Sequence, residues 1–335
     1  MSAQQQHPER ASPRRRIPPF VVWLARIAVV LAVLVLAGML YESAAEAADR
    51  RAYPPPGQMV DVGGYSLHIN CVGQGVPTVV IESGMGDWSA SWSSWVQPEV
   101  ARTTRVCTYD RAGMGWSEPS PMPRTAATFV QELHTLLDRA GVQRPVVLAG
   151  HSLGGLTVRL FAHDYPAEVA GAVLIDAMHP DQATHAAPEP SGEPSATASG
   201  DSILTLAARV GLVRLLGGPL LRDGLSPEVA DAYAAFASTP AAFRAADAEG
   251  AGLPSSLGQA ADVESLDDLP LIVLSRGLDP DDKWQTMQTD LLQLSSNSQQ
   301  LFAPNSGHNV QLDQPEAAVG AIVQMVDDIR ERGLR

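Results

Sequence analysis

The sequence is poor in lysine and in positive charge as a whole. Its 335 residues carry 23 Lys and Arg against 37 Asp and Glu, which gives a formal net charge of −14, and Lys283 is the single lysine. Because nucleic-acid binding requires a basic face to meet the phosphates, this balance argues against a nucleic-acid partner.

Cysteine is also scarce, and no Cys or His spacing resembles a zinc site. The only two cysteines are Cys71 and Cys107, and no glycine-rich phosphate-binding loop is present. We therefore expect neither a metal nor a cofactor. Apolar residues make up 45% of the chain, which is enough for a substantial core in one large domain or two.

One long hydrophobic run stands out, at residues 20–41, with Arg26 as its only charge. As a helix it would extend about 33 Å, enough to cross a bilayer. The basic PRRR at 13–16 precedes it and acidic residues follow, so the positive-inside rule predicts a cytoplasmic tail at 1–19 and an extracytoplasmic remainder. Small residues at 43–49 leave a cleaved signal peptide, and hence a secreted protein, as the alternative.

Strand-like and helix-like segments alternate after the hydrophobic run. Residues 42–58 are interpreted as a proline-rich spacer, and the stretch 51–58 within it is not expected to form a helix. The pattern predicts an α/β core at 59–178 and 270–335, with a mostly parallel sheet covered by helices on both faces. Residues 179–269 show no convincing strand and are predicted to form a helical cap with a flexible entry at 187–201.

The sequence GHSLGG begins at Gly150, and its first five residues match G-x-S-x-G. The motif follows the apolar VVLA and precedes a helical pattern, which is the context of a nucleophile on a sharp strand-to-helix turn. Glycines on either side let the strand and helix approach closely. Ser152 is therefore predicted to be a nucleophile.

Four motifs together resemble the α/β-hydrolase fold superfamily, in particular its esterase-like and lipase-like serine hydrolases. They are, in order, ESGMGDW (82–88), YDRAGMGWSE (109–118), GHSLGG (150–155) and NSGHNVQLDQP (305–315). The resemblance implies the fold strongly and the substrate hardly at all, because this fold hosts many reactions.

The resemblance also implies the partners of Ser152. His308, last in chain order, is expected to be the general base. Asp279, in the loop after the strand that begins at Pro270, is the favoured acid, although Arg276 stands where many relatives have glycine. Asp176, after the preceding strand, is the alternative acid.

Two backbone amides are expected to stabilise the oxyanion, those of Leu153 and Met85. The family often has His-Gly before the second donor, whereas this chain has Ser83-Gly84. In the same fold the second strand lies antiparallel to the fourth, so Cys71 and Cys107 are expected to be neighbours that could form a disulfide in an oxidising compartment.

The sequence thus predicts a membrane-anchored serine hydrolase that acts on a small-molecule carboxylic ester, with amides second. Epoxide and haloalkane hydrolases of this fold use an aspartate nucleophile, which Ser152 disfavours. Two alternatives stay open: a non-catalytic membrane-anchored binding protein on the same fold, and an acyltransferase.

Overall fold

The computed structural model describes residues 18–185, 201–218 and 220–333. A 34-residue helix, α1 (Pro19–Ala52), comes first, and its apolar part has a mean hydropathy of 2.8 and no buried residue. It is the one helix in the described ranges that is long and apolar enough to cross a membrane.

The core is an eight-stranded sheet in the order β1-β2-β4-β3-β5-β6-β7-β8. β1 and β2 pair antiparallel with each other, and β2 pairs antiparallel with β4. The six strands from β3 to β8 all run parallel to one another. The strands are β1 (Gln58–Asp61), β2 (Ser66–Val72), β3 (Val79–Glu82), β4 (Val106–Tyr109), β5 (Val146–His151), β6 (Val169–Ile175), β7 (Leu271–Arg276) and β8 (Ser298–Ala303). The carboxyl ends of the parallel strands therefore meet at one edge, where ligands bind in such sheets.

Helices cover both faces of the sheet, as the pattern predicted. The core helices are α2 (Ser89–Val100), α3 (Ala126–Arg139), α4 (Leu153–Asp164), α9 (Asp282–Asp290), the short α10 (Val310–Asp313) and α11 (Pro315–Glu331). Alternate residues of the strands supply the two cores: Val80 and Leu148 pack with α3 and α4, whereas Ile81 and Val147 pack with α2 and α11. The α/β-hydrolase architecture predicted from the sequence is confirmed.

The segment between β6 and β7 contains four helices, and among its described residues there is no strand. They are α5 (Ile203–Arg209), α6 (Leu212–Gly217), α7 (Pro227–Ala237) and α8 (Pro240–Ala261). Most of the predicted flexible entry, 187–200, lies outside the described residues. Its last residue, Asp201, forms ion pairs with Arg209 and Arg244.

The prediction of a proline-rich spacer over 42–58 is wrong for its first part, and the non-helical stretch begins two residues later than expected. Helix α1 continues to Ala52, and only the proline-rich stretch that follows it is irregular before β1 begins at Gln58. The sequence SAAEAAD contains good helix formers, and side chains of this extension are held by the cap: Arg214 of α6 binds Glu42 and Asp49.

Cys71 and Cys107 lie directly opposite each other on β2 and β4 and are joined by a disulfide. The bond closes a loop of 36 residues around β3 and α2, and loop closure of this kind typically adds about 3 kcal/mol. It ties the antiparallel start of the sheet to its parallel part.

Candidate active site

Ser152 occupies the sharp turn between β5 and α4, with φ 52° and ψ −119°. The turn depends on its glycines. A Cβ on Gly150 would lie 2.5 Å from the carbonyl oxygen of Gly154, and a Cβ on Gly154 would lie 2.5 Å from that of Glu82. Only glycine lets strand, helix and the neighbouring loop approach this closely, so the sequence holds a strained serine at a helix N-terminus.

Hydrogen bonds link Ser152 to His308 and His308 to Asp176. The Ser152 hydroxyl lies 3.0 Å from Nε2 of His308, and Nδ1 of the same ring lies 2.6 Å from Oδ2 of Asp176. Since a carboxylate accepts, Nδ1 carries the proton and Nε2 presents its lone pair to the hydroxyl. This is the geometry in which an imidazole can remove the serine proton.

Asp176 is fully buried directly after β6, and four groups donate to its carboxylate. Besides His308, they are the Trp284 indole, the Arg276 backbone amide and the Arg276 guanidinium. Burial alone would raise the pKa of Asp176, but the His308 hydrogen bond and the Arg276 charge outweigh it and hold the pKa below its ordinary value. The carboxylate therefore stays ionised beside the imidazole.

The position favoured from the sequence, Asp279, is wrong as the partner of His308. Asp279 lies three residues past the end of β7, in an exposed loop with φ 51°. Asp176 instead follows β6 immediately, and β6 lies between β5 and β7, so its carboxylate is placed beside the serine turn. The alternative acid weighed in the sequence is the one that the structure brings to His308.

The loop after β3, residues 83–87, passes beside the serine turn. We call it the oxyanion loop because it contains Met85, the second expected oxyanion donor. A Cβ on Gly84 would lie 3.4 Å from the Ser152 Cβ. The other expected donor, Leu153, is the first residue of α4, and the first amides of a helix have no acceptor within it. Ser83, which replaces the family histidine, has a buried hydroxyl with no partner among the described residues.

A buried arginine fixes the conformation of this loop. The Arg111 guanidinium donates to the backbone oxygens of Ser83 and Gly84. Because these carbonyls are tied to Arg111, the loop is held in one position next to Ser152.

Two glutamates that no sequence pattern pointed to hold Arg111 in its turn. We call Arg111 and these two glutamates the arginine clamp. Glu82, at the end of β3, and Glu249, on α8, both form buried ion pairs with Arg111. Glu249 also accepts from the backbone amide of Gly86, so a helix of the cap holds the oxyanion loop directly. No local motif marks Glu249, because it meets Arg111 across 138 positions of the sequence.

His151 lies beside His308, with ring centroids 4.7 Å apart. Its Nε2 lies 2.8 Å from the backbone oxygen of His308, to which it donates. Burial, and then the nearby His308, lower the pKa of His151 to about 4, so the ring is neutral at ordinary pH. The neutral ring supports the backbone of His308.

Comparisons with curated proteins give mostly partial matches. The chain is 34% identical over 126 residues to the probable transporter efuK of Hormonema carpetanum, covering 35% of this chain and 18% of that protein. It spans less than a fifth of that relative's length. It is 26% identical to the uncharacterized protein YqjL of Bacillus subtilis over 71% of this chain and 79% of the relative.

Solved structures agree with the fold. An esterase from Thermogutta terrifontis has a TM-score of 0.59 at 23% identity and covers 81% of this chain and 98% of its own. The epoxide hydrolase CorEH has a TM-score of 0.62 at 21% identity, with the same two coverages. Finally, the family model of the alpha/beta hydrolase fold matches residues 77–315. With this match over most of its length, the chain belongs to the α/β-hydrolase fold family.

Proposed function

We propose that the protein hydrolyses a carboxylic ester of a small molecule through a Ser-His-Asp triad and an acyl-enzyme. The hydrogen-bonded chain from Ser152 through His308 to Asp176 carries the proposal. A serine in this place also argues against epoxide opening, which in this fold uses an aspartate nucleophile.

In the first half of the reaction the Ser152 hydroxyl attacks the ester carbonyl carbon. His308 Nε2 takes the hydroxyl proton, and Asp176 stabilises the imidazolium that forms. The negative charge that develops on the carbonyl oxygen is met by the amides of Leu153 and Met85. The C–O bond then breaks, and the leaving alcohol takes the proton from His308.

In the second half, water attacks the acyl carbon and gives a proton to His308. The tetrahedral intermediate collapses, Ser152 recovers its proton, and the carboxylic acid leaves. No cofactor or metal takes part in this scheme. Residues 20–41 are proposed to anchor the enzyme in a membrane as a single pass, with the N-terminus in the cytoplasm and the hydrolase outside.

A fluorophosphonate probe tests the nucleophile, because it labels only activated serines. We expect stoichiometric labelling of the folded protein, and loss of labelling and of p-nitrophenyl ester hydrolysis in Ser152→Ala. Ser93→Ala, on helix α2, is the matched control and should label fully. Equal absence of an adduct in native protein and Ser152→Ala would contradict the hydrolase proposal and favour a binding protein.

The acyl acceptor is tested by adding alcohols to the assay. Hydrolysis predicts that free acid remains the main product, whereas preferential formation of a new ester would favour the acyltransferase alternative. A series of p-nitrophenyl esters of increasing chain length then defines the acyl group that the site accepts.

A further inference from the structure

The first two cap helices expose an apolar surface on their outer side. We call this the leucine surface; Ile203 is 85% exposed and Leu216 is 76% exposed. It comprises Ile203, Leu204 and Leu206 of α5 and Leu212, Leu215 and Leu216 of α6. A clustered set of exposed leucines on two short helices marks an interaction site rather than ordinary surface.

The leucine surface belongs to helices that pack beside the outer end of α1. A Cβ on Gly38 would lie 2.5 Å from the backbone oxygen of Val210, between α5 and α6. A Cβ on Gly211 would lie 2.7 Å from the ring of Tyr41. The turn between the two cap helices thus touches α1 within its apolar segment, about 4 to 5 Å before that segment ends at Tyr41.

Charged groups mark where the apolar contact ends. Arg214, on α6, donates to both carboxylate oxygens of Glu42 and to Asp49 on the extension of α1. Glu42 is buried in this contact, so its charge faces an arginine and not lipid. The ion pairs fix α6 against the first two turns of the extension of α1, directly beyond the apolar segment.

We propose that the leucine surface inserts into the lipid bilayer that α1 spans, in the leaflet at the outer end of α1. The inference rests on the proposed anchoring of α1. Continuity with α1 selects lipid as the occupant: the contacts that hold the cap to α1 lie at the end of its apolar segment and just beyond it, so the apolar face of the cap lies at the boundary of the bilayer. Amphipathic helices bury an apolar face at this boundary in the same way.

Insertion has a consequence for the active site, because other parts of the cap touch it. Tyr233 of α7 stacks on Trp88, which follows the oxyanion loop, with ring centroids 4.2 Å apart. Glu249 of α8 holds that loop through Arg111. Insertion therefore brings to the membrane a cap that also contacts the loop beside Ser152, so that an ester dissolved in the bilayer meets the cap without crossing bulk water.

Fluorescence quenching at defined depth tests the insertion. The full chain is placed in phosphatidylcholine vesicles containing brominated lipids, and an environment-sensitive fluorophore is attached to one introduced cysteine under non-reducing conditions. Leu216→Cys reports the leucine surface and Leu34→Cys reports α1. Thr286→Cys, exposed on α9, is the matched control.

We expect strong quenching of the labels at 34 and 216 and little at 286. Quenching at 34 without quenching at 216 would overturn the insertion and leave the anchor intact. Absence of quenching at 34 would overturn the anchor proposal itself. A blue-shifted but unquenched label at 216 would show that a second copy of the chain covers the surface, which also contradicts insertion.

Activity provides a second measurement. Leu215→Glu together with Leu216→Glu places two charges where lipid is proposed. We expect at least a fivefold loss of hydrolysis of a long-chain ester held in vesicles, with hydrolysis of a short soluble ester unchanged. Thr286→Glu with Thr289→Glu is the control and should change neither rate. Equal rates of the leucine variant and the control on the vesicle ester would contradict the proposal.

Discussion

The carboxyl ends of β6 and β7 are neighbours in the sheet, and each is followed by an aspartate with a positive φ, Asp176 at 40° and Asp279 at 51°. Asp176 is fully buried, and Asp279 is exposed. Asp176 receives four hydrogen-bond donors, one of them His308, from elements far apart in sequence. The difference shows that the chemistry of a strand end depends on what surrounds the carboxylate.

Neutralising each carboxylate in turn distinguishes the roles of Asp176 and Asp279. Asp176→Asn removes the charge that is proposed to stabilise the His308 imidazolium, and it disturbs the tautomer of the ring. We expect kcat to fall by about 10³- to 10⁴-fold, measured on a p-nitrophenyl ester. Asp279→Asn is the matched control and should stay within about twofold. A larger loss in Asp279→Asn than in Asp176→Asn would assign the acid to β7.

A second, smaller loss of activity is expected when the arginine clamp that holds the oxyanion loop is weakened. Glu249→Gln keeps the shape of the side chain but removes one of the two charges that hold Arg111. We expect kcat to fall by about 10- to 100-fold, less than for the loss of an oxyanion donor itself, with a smaller change in KM. Glu264→Gln, exposed beyond α8, is the control. An unchanged kcat would show that Glu82 alone positions Arg111 and the loop.

The sequence predicted those parts of the site that local pattern encodes. The glycines around Ser152 and the position of His308 before the last helix are short-range signals, and the structure brings the two side chains together. The sequence favoured the wrong aspartate as the partner of His308, because both aspartates follow strands and only the packing of Trp284 and Arg276 separates them. The ion pairs of Glu249 with Arg111 and of Arg214 with the extension of α1 join segments far apart in the chain, so no motif in the sequence marks them.

The end of β5 offers a test based on pH. Burial, and then His308, lower the pKa of His151 from 6.5 to about 4. Between these values the unfolded chain binds a proton that the folded protein does not, so stability is present above pH 6.5 and is lost as the pH falls towards 4. We expect this group to account for about 3 kcal/mol of that loss.

Urea unfolding in detergent at pH 7 and at pH 4.5 measures the loss. His151→Gln, which keeps an N–H donor for the His308 backbone oxygen, should lose less stability on acidification than the native protein by about 2 to 3 kcal/mol. His163→Gln, an exposed histidine on α4, should behave like the native protein. Parallel losses in all three proteins would mean that His151 does not titrate in this way.

The smallest expected effect concerns Arg276, which donates to Asp176 and lies 3.5 Å from His308 Nδ1. Its guanidinium opposes positive charge on the imidazole and shares Oδ2 of Asp176 with it. Arg276→Gln removes the charge that lowers the pKa of Asp176 but keeps an amide donor for its carboxylate, so we expect kcat on a p-nitrophenyl ester to fall by only about two- to fivefold. Arg222→Gln, at an exposed ion pair with Asp231, should leave kcat unchanged. A rise of kcat in Arg276→Gln would mean that the guanidinium opposes the imidazolium more strongly than it orients Asp176.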